Sequence, residues 1–223
     1  MGFLKSIAIL ALVTGLVYLP GLSGGFIYDD FPNIVANPAL HIDDLAPDAV
    51  VAAALSGHSG FLGRPLASFS FALNHALGGL DPFGYKLANL VIHIINAALV
   101  WLLASAVTRR IGRGRELPGL LVYLPLLTAL LWALHPINLT SVLYTVQRMT
   151  SLASMFSLAA VLAFLQCRAR CAADRRAWPW LLIGGAVTAA GLAAKEILVL
   201  VPVYLLVLEI IVFADRSDGP RLR

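Results

Sequence analysis

Six stretches of the chain are apolar at almost every position: residues 3–22, 87–107, 119–134, 142–165, 178–194 and 197–214. A hydrocarbon core is about 30 Å thick and takes about 20 apolar residues of helix to cross. The third and fifth runs are short or glycine-rich. Only Lys195 and Glu196 separate the last two, so those runs form a tight helical hairpin. Backbone polar groups in lipid must be satisfied within the chain, which selects helices. The pattern therefore predicts an all-α polytopic membrane protein, a single transmembrane domain over 1–223 with about six transmembrane helices.

The polar positions collect in one long connection, residues 23–85, and connections of that size rarely lack a function. Within it IDDLAPDAVVAAAL reads as an acidic turn feeding a short helix that Pro47 opens. SGHSGFLG is a flexible break. RPLASFSFALNHALGG reads as a second helix, started by Pro65 and stopped by Gly78-Gly79, with Phe69, Leu73 and Leu77 on one stripe. A helix with such a stripe is expected along the membrane interface.

Composition agrees: 60% of the 223 residues are hydrophobic, mean hydropathy is +0.86, and 13% are charged against about 25% in soluble domains. Charge adds orientation. Lys5, the groups Arg109, Arg110, Arg113, Arg115 and Arg168, Arg170, Arg175, Arg176, and the tail Arg216, Arg221, Arg223 fall on one face once the six spans are drawn. Positive residues are retained on the cytoplasmic side, so both termini and the tail 215–223 are expected there, and the 23–85 loop outside. The net charge of +4 then reflects topology, and nucleic acid is not an expected partner. The first run is read as an uncleaved anchor, since no convincing small-x-small site follows Pro20-Gly21. Cys167 and Cys171, at i and i+4 near the cytoplasmic end of the fourth run, have no second Cys or His pair near enough to complete a zinc site.

Candidate chemistry lies where charge meets the outer surface. GGFIYDDFPNIVANP puts Asp29 and Asp30 just past the first span; a solvated turn or a helix N-cap is the plain reading of such a pair. The outer face carries few cations, namely Arg64, Lys86, Arg148 and Lys195. Arg148 lies a turn or two inside the fourth run, where a charge needs a partner. Asn89, His93 and Asn96 share one face of the second span, lining a cavity or bonding between helices. His135-Pro136 ends the third run, with His135 a polar cap or an acceptor contact. Lys195 and Glu196 cap helices or touch a ligand.

The segments FIYDDFPNIVANP, GRPLASFSFALNHALGGLDPFGYKLANLVIHIINAALV, LHPINLTSVLYTVQRMTSLASMF and the AKE at 194–196, in that order and spacing, resemble the amino-terminal half of polytopic GT-C glycosyltransferases. Among these they look closest to bacterial relatives of the transmembrane-and-TPR-containing O-mannosyltransferases. The resemblance implies a GT-C-like partial module in a bacterial cytoplasmic (inner) membrane, its active site facing outside. Its substrates would be a polyprenyl-phosphate-linked sugar and a hydroxyl of a protein or glycan acceptor.

The family's acidic pair corresponds to Asp29 and Asp30. A positioned carboxylate acting as general base is worth about 10²–10⁴-fold, and a second supports positive charge at the anomeric carbon. The leaving phosphate would fall to Arg64, Arg148 and Lys195, with Asn89, His93, His135 and Glu196 also substrate-facing. No cofactor is assigned, and a divalent cation stays open. Thr140 and Ser141 stand where relatives often carry an acid, which removes one metal-binding candidate. The family's further spans and TPR repeats are absent from this sequence, which reads as a fragment, a truncated product or a half that works with a second membrane subunit. A non-catalytic scaffold that binds lipid-phosphate or a partner without turnover is the alternative function.

Overall fold

Proline at the first helical position costs no hydrogen bond, because that N–H has no intrahelical acceptor, and three consecutive helices begin this way: α2 (Pro47–Leu55), α3 (Pro65–Gly78) and α4 (Pro82–Ile111). They follow α1 (Phe3–Tyr18) and precede α5 (Leu124–Ala133), α6 (Leu139–Leu143), α7 (Arg148–Ala172), α8 (Trp178–Leu192) and α9 (Val201–Leu208). The structure, a computed structural model, describes residues 2–111 and 119–213. Arg113, Arg115 and the tail 215–223 lie outside the described residues. All described regular elements are helical, and the protein is an all-α membrane protein.

Three helices among the described residues are long and apolar enough to cross a bilayer: Phe3–Gly21, Pro82–Arg110 and Thr145–Ala172. The third apolar run becomes part of a pair, Leu121–Ala133 and Pro136–Leu143, bent by 52° at His135 and able to make a fourth span. The fifth run is the shorter helix α8, and the sixth is divided into a 3₁₀ turn, α9 and a wide final turn. The expected count of six thus resolves into three full-length helices and a set of shorter or bent ones. Pro136 and Pro202 explain two of the breaks, since each lacks an N–H for a continuing ladder.

The 30 residues of α4 form the central element, packed against α1, α5 and α7, with α8 packed on α7. Small buried residues, Ala97, Ala129, Ala133, Ala153, Ala160 and Ala163, stand at these contacts, as suits helices whose association rests on close backbone approach. Residues 23–85 form a cap on one end of the bundle. Ile34, Leu40, Ile42, Ala53, Phe71 and Tyr85 pack there with Val146, Met149, Leu152 and Ala194.

Helix α3 seals the cap with Ala67, Ser68, Phe71 and Ala72 buried. The Phe69, Leu73, Leu77 stripe is therefore turned outward, and Leu77 is 79% exposed. Gly79, at φ +60°, ends the helix in a conformation that glycine supplies without a Cβ clash.

Candidate active site at the start of α7

The two adjacent aspartates take opposite environments. The turn before 31–35 points the Asp30 carboxylate inward, where it is 0% exposed. Oδ2 accepts from the Ile27 N–H at 3.0 Å and Oδ1 from the Val146 N–H at 2.7 Å. Burial pushes the Asp30 carboxyl above its usual range. The amides of Ile27, Val146 and Thr145 and the nearby Lys86 ammonium pull it back only in part. Lys86 is itself held by the carbonyls of Gly24 and Gly25, at 2.6 and 3.0 Å. Asp30 thus ties the cap to the residues that lead into α7.

Asp29, by contrast, is exposed. Its backbone N–H donates to the Tyr144 hydroxyl at 3.0 Å, its carbonyl accepts from Asn33 Nδ2 at 2.9 Å, and Tyr144 also lies within range of its carboxylate. Asn33 in turn accepts from the Ser59 hydroxyl. The preceding residue, Tyr28, has φ +42°, a left-handed conformation that costs a non-glycine residue on the order of 1–3 kcal/mol. The backbone here is held by its surroundings.

Arg64 shows the same strain, at φ +52°. Its guanidinium pairs with Glu196 at 3.3 Å and reaches Met149 Sδ at 3.2 Å. Burial alone would push Glu196 up, but its backbone hydrogen bonds and Arg64 outweigh that and hold the carboxyl below its usual value. Lys195 donates to the Thr150 hydroxyl at 2.7 Å. Burial lowers its ammonium pKa, and Arg64 lowers it further, against Glu196. Met149 and Thr150 are in the first turn of α7, whose N-cap Gln147 makes no side-chain cap hydrogen bond. A 3₁₀ turn over Thr145–Gln147 leads straight into α7 and takes up the Arg148 N–H.

The remaining expected residues stand elsewhere. Arg148 is 1% exposed and turned into the bundle: Nε donates to Asn89 Oδ1 at 2.7 Å, Nη1 to the Ser70 carbonyl at 2.9 Å and Nη2 to the Tyr85 carbonyl at 2.8 Å. Phe71 lies under its charge at 4.7 Å. Its partners are amide oxygens and rings. Asn89 also donates to the carbonyls of Val142 and Thr145, and Asn96 to that of Ser151. His93 bonds the Ala133 carbonyl at 2.9 Å and stacks on Trp132. The shared face of α4 is thus spent on bonds between helices. His135 is exposed and caps the turn at Pro136 through the Ile137 N–H.

The short segment 144–150 therefore gathers Asp29, Asp30, Arg64 and Lys195, with Glu196 joined through Arg64. Asn89, His93 and Arg148 lie beneath it and His135 to one side. Tyr144 and Thr150 are part of this arrangement without having stood out as site residues, and their only signal in the sequence is their place in YTVQRMT. Lys86, one of the few cations expected on this face, lies near the start of α4 and joins through Asp30 and the Gly24 and Gly25 carbonyls. Among the described residues no group of three or more His, Cys, Asp or Glu side chains converges to hold a metal ion.

Over 190 residues, 81% of its length, the chain is 32% identical to protein O-mannosyl-transferase TMTC2 of Homo sapiens. It is 32% identical to protein O-mannosyl-transferase Tmtc1 of Drosophila melanogaster over 187 residues, 81% of the chain, and 30% identical to TMTC3 of Mus musculus over 167 residues, 72% of the chain. Its homologues are protein O-mannosyl-transferases. The matched stretch spans 21%, 20% and 17% of these three proteins, so the chain covers about a fifth of the length of the curated relatives it matches. No family model and no solved structure matches it. Similarity to the O-mannosyl-transferases and the apolar helices together support a multi-pass membrane protein related to glycosyltransferases that act on proteins.

Proposed function

We propose that this chain is the catalytic portion of a membrane glycosyltransferase that moves a sugar from a polyprenyl-phosphate carrier to a hydroxyl of a protein or glycan outside the cytoplasmic membrane. The observation that carries the reading is the gathering of an exposed carboxylate and two cations on segment 144–150. Asp29 takes the proton of the acceptor hydroxyl. The freed oxygen forms the bond to the anomeric carbon as the bond from that carbon to the phosphate oxygen breaks. The electron pair leaves with the lipid phosphate, and direct displacement inverts the anomeric centre. Arg64 and Lys195 receive the departing charge. Asp30 and Arg148 hold this surface in place from below, and Glu196 sets the direction of Arg64.

Asp29→Asn separates chemistry from folding, because an exposed amide keeps the size but cannot take up a proton at neutral pH. In the longest reading frame that contains this chain, reconstituted with polyprenyl-phosphate mannose and a serine- and threonine-rich peptide, the variant is expected to melt like wild type. Its transfer should fall about 10²–10⁴-fold. Wild-type transfer by Asp29→Asn would remove the general base and leave the cap to the scaffold reading.

A further inference from the structure

At the end of the bundle opposite Asp29, α4, α7 and α8 enclose a groove of about 670 Å³, open along one side. Leu99, Leu102, Leu162, Ile183 and Val187 form its apolar walls, and Arg109 and Arg110, in the last turn of α4, reach its rim. We propose that this groove is a lipid site: one acyl chain of an anionic phospholipid lies in it, with the lipid phosphate at Arg109.

Three observations favour that occupant. Leu99 and Arg110 bound the groove on α4, and at 1.5 Å per residue they are about 16 Å apart. That is roughly half of a 30 Å hydrocarbon core, the depth of a single leaflet. The charge also sits where a headgroup would be. Arg109 is exposed at the rim, and Trp180, with Arg170 at 5.7 Å from its ring, lines the same end, as indoles do at headgroup level. The site is independent of the sugar-transfer proposal, which concerns the other end of α4 and α7.

The test uses the full chain in nanodiscs and the fluorescence of Trp180. Dioleoyl phosphatidylglycerol or phosphatidylcholine, each brominated on its acyl chains, is titrated in, and the signal is the quenching that disappears in Trp180→Phe. Phosphatidylglycerol is expected to quench at about fivefold lower mole fraction than phosphatidylcholine, the preference one arginine supplies near an anionic surface. Arg109→Gln should erase that preference. Ala159→Leu, which narrows the groove without touching charge, should reduce the Trp180 signal from both lipids. Equal quenching by the two lipids, or a preference unchanged in Arg109→Gln, would overturn the proposal. So would absence of Trp180-dependent quenching by either lipid, which would mean that protein, from a second copy or a further segment, covers the groove.

Discussion

Replacing Asp30 by alanine tests the distinction between the two aspartates at its structural end. The carboxylate is wholly buried and is the acceptor for two backbone N–H groups from segments more than a hundred residues apart, Ile27 and Val146. Alanine leaves the Val146 N–H buried without a partner, at about 1–3 kcal/mol, whereas Ile27 is exposed and its N–H can turn to water. The expected loss is therefore about 1–3 kcal/mol. For a chain of this size 1 kcal/mol moves the melting temperature by about 2–4 °C, so the midpoint should fall by several degrees. Cys167 is buried, at 3% exposure, so in a background that lacks the half-buried Cys171 a thiol-reactive fluorophore reports unfolding in detergent. Asp29→Ala in the same assay should melt within about 2 °C of wild type, as exposed substitutions usually do. If Asp30→Ala also stayed within 2 °C of wild type, the carboxylate would not be what joins the cap to α7.

Three further outcomes follow from the same geometry. The Asp30 carboxyl is raised in the folded protein, so the folded state holds a proton that the unfolded chain has already released; that stability is full below the ordinary carboxylate range and is lost as pH rises through the folded value. The melting difference between wild type and Asp30→Ala should accordingly widen on acidification, and a difference that narrowed would contradict it. Arg148→Gln should destabilise the protein by several kcal/mol, because the Asn89 side chain and the carbonyls of Ser70 and Tyr85 lose their donor, at about 1–3 kcal/mol for each one left unpaired; an unchanged melting curve with impaired donor binding would instead move Arg148 to the ligand. His58, exposed in the cap, should as His58→Cys react with an impermeant maleimide on intact cells in a background lacking Cys167 and Cys171. Reaction only after lysis would invert the orientation.

The apolar runs and the prolines made much of this fold readable in advance. Pro47 and Pro65 open the helices expected of them, and Gly79 closes α3, because each acts through its own backbone. The site was readable as a set of residues and not as an arrangement. Nothing in the order Asp29-Asp30 tells which carboxylate is buried; that is decided by the amide of Val146, far along the chain. Arg148 needed a partner, and a search for an acid would have failed. Its partners are two carbonyls and an amide, groups that every sequence contains and none advertises. Spacing on α4 put Asn89, His93 and Asn96 on one face correctly, but which helix faces them is a property of the packed bundle.

The acid-free neighbourhood of Arg148 bears on how the chain enters the membrane. Every oxygen that receives its guanidinium belongs to residues synthesised earlier, Ser70, Tyr85 and Asn89, and chains form structure from the amino terminus onward as they are made. When α7 reaches the bilayer, α3 and the first turns of α4 already present a place for its charge. Insertion of that helix therefore becomes conditional on a correctly docked 64–85 segment, and a lesion there would be expressed as failed integration of a helix some sixty residues downstream.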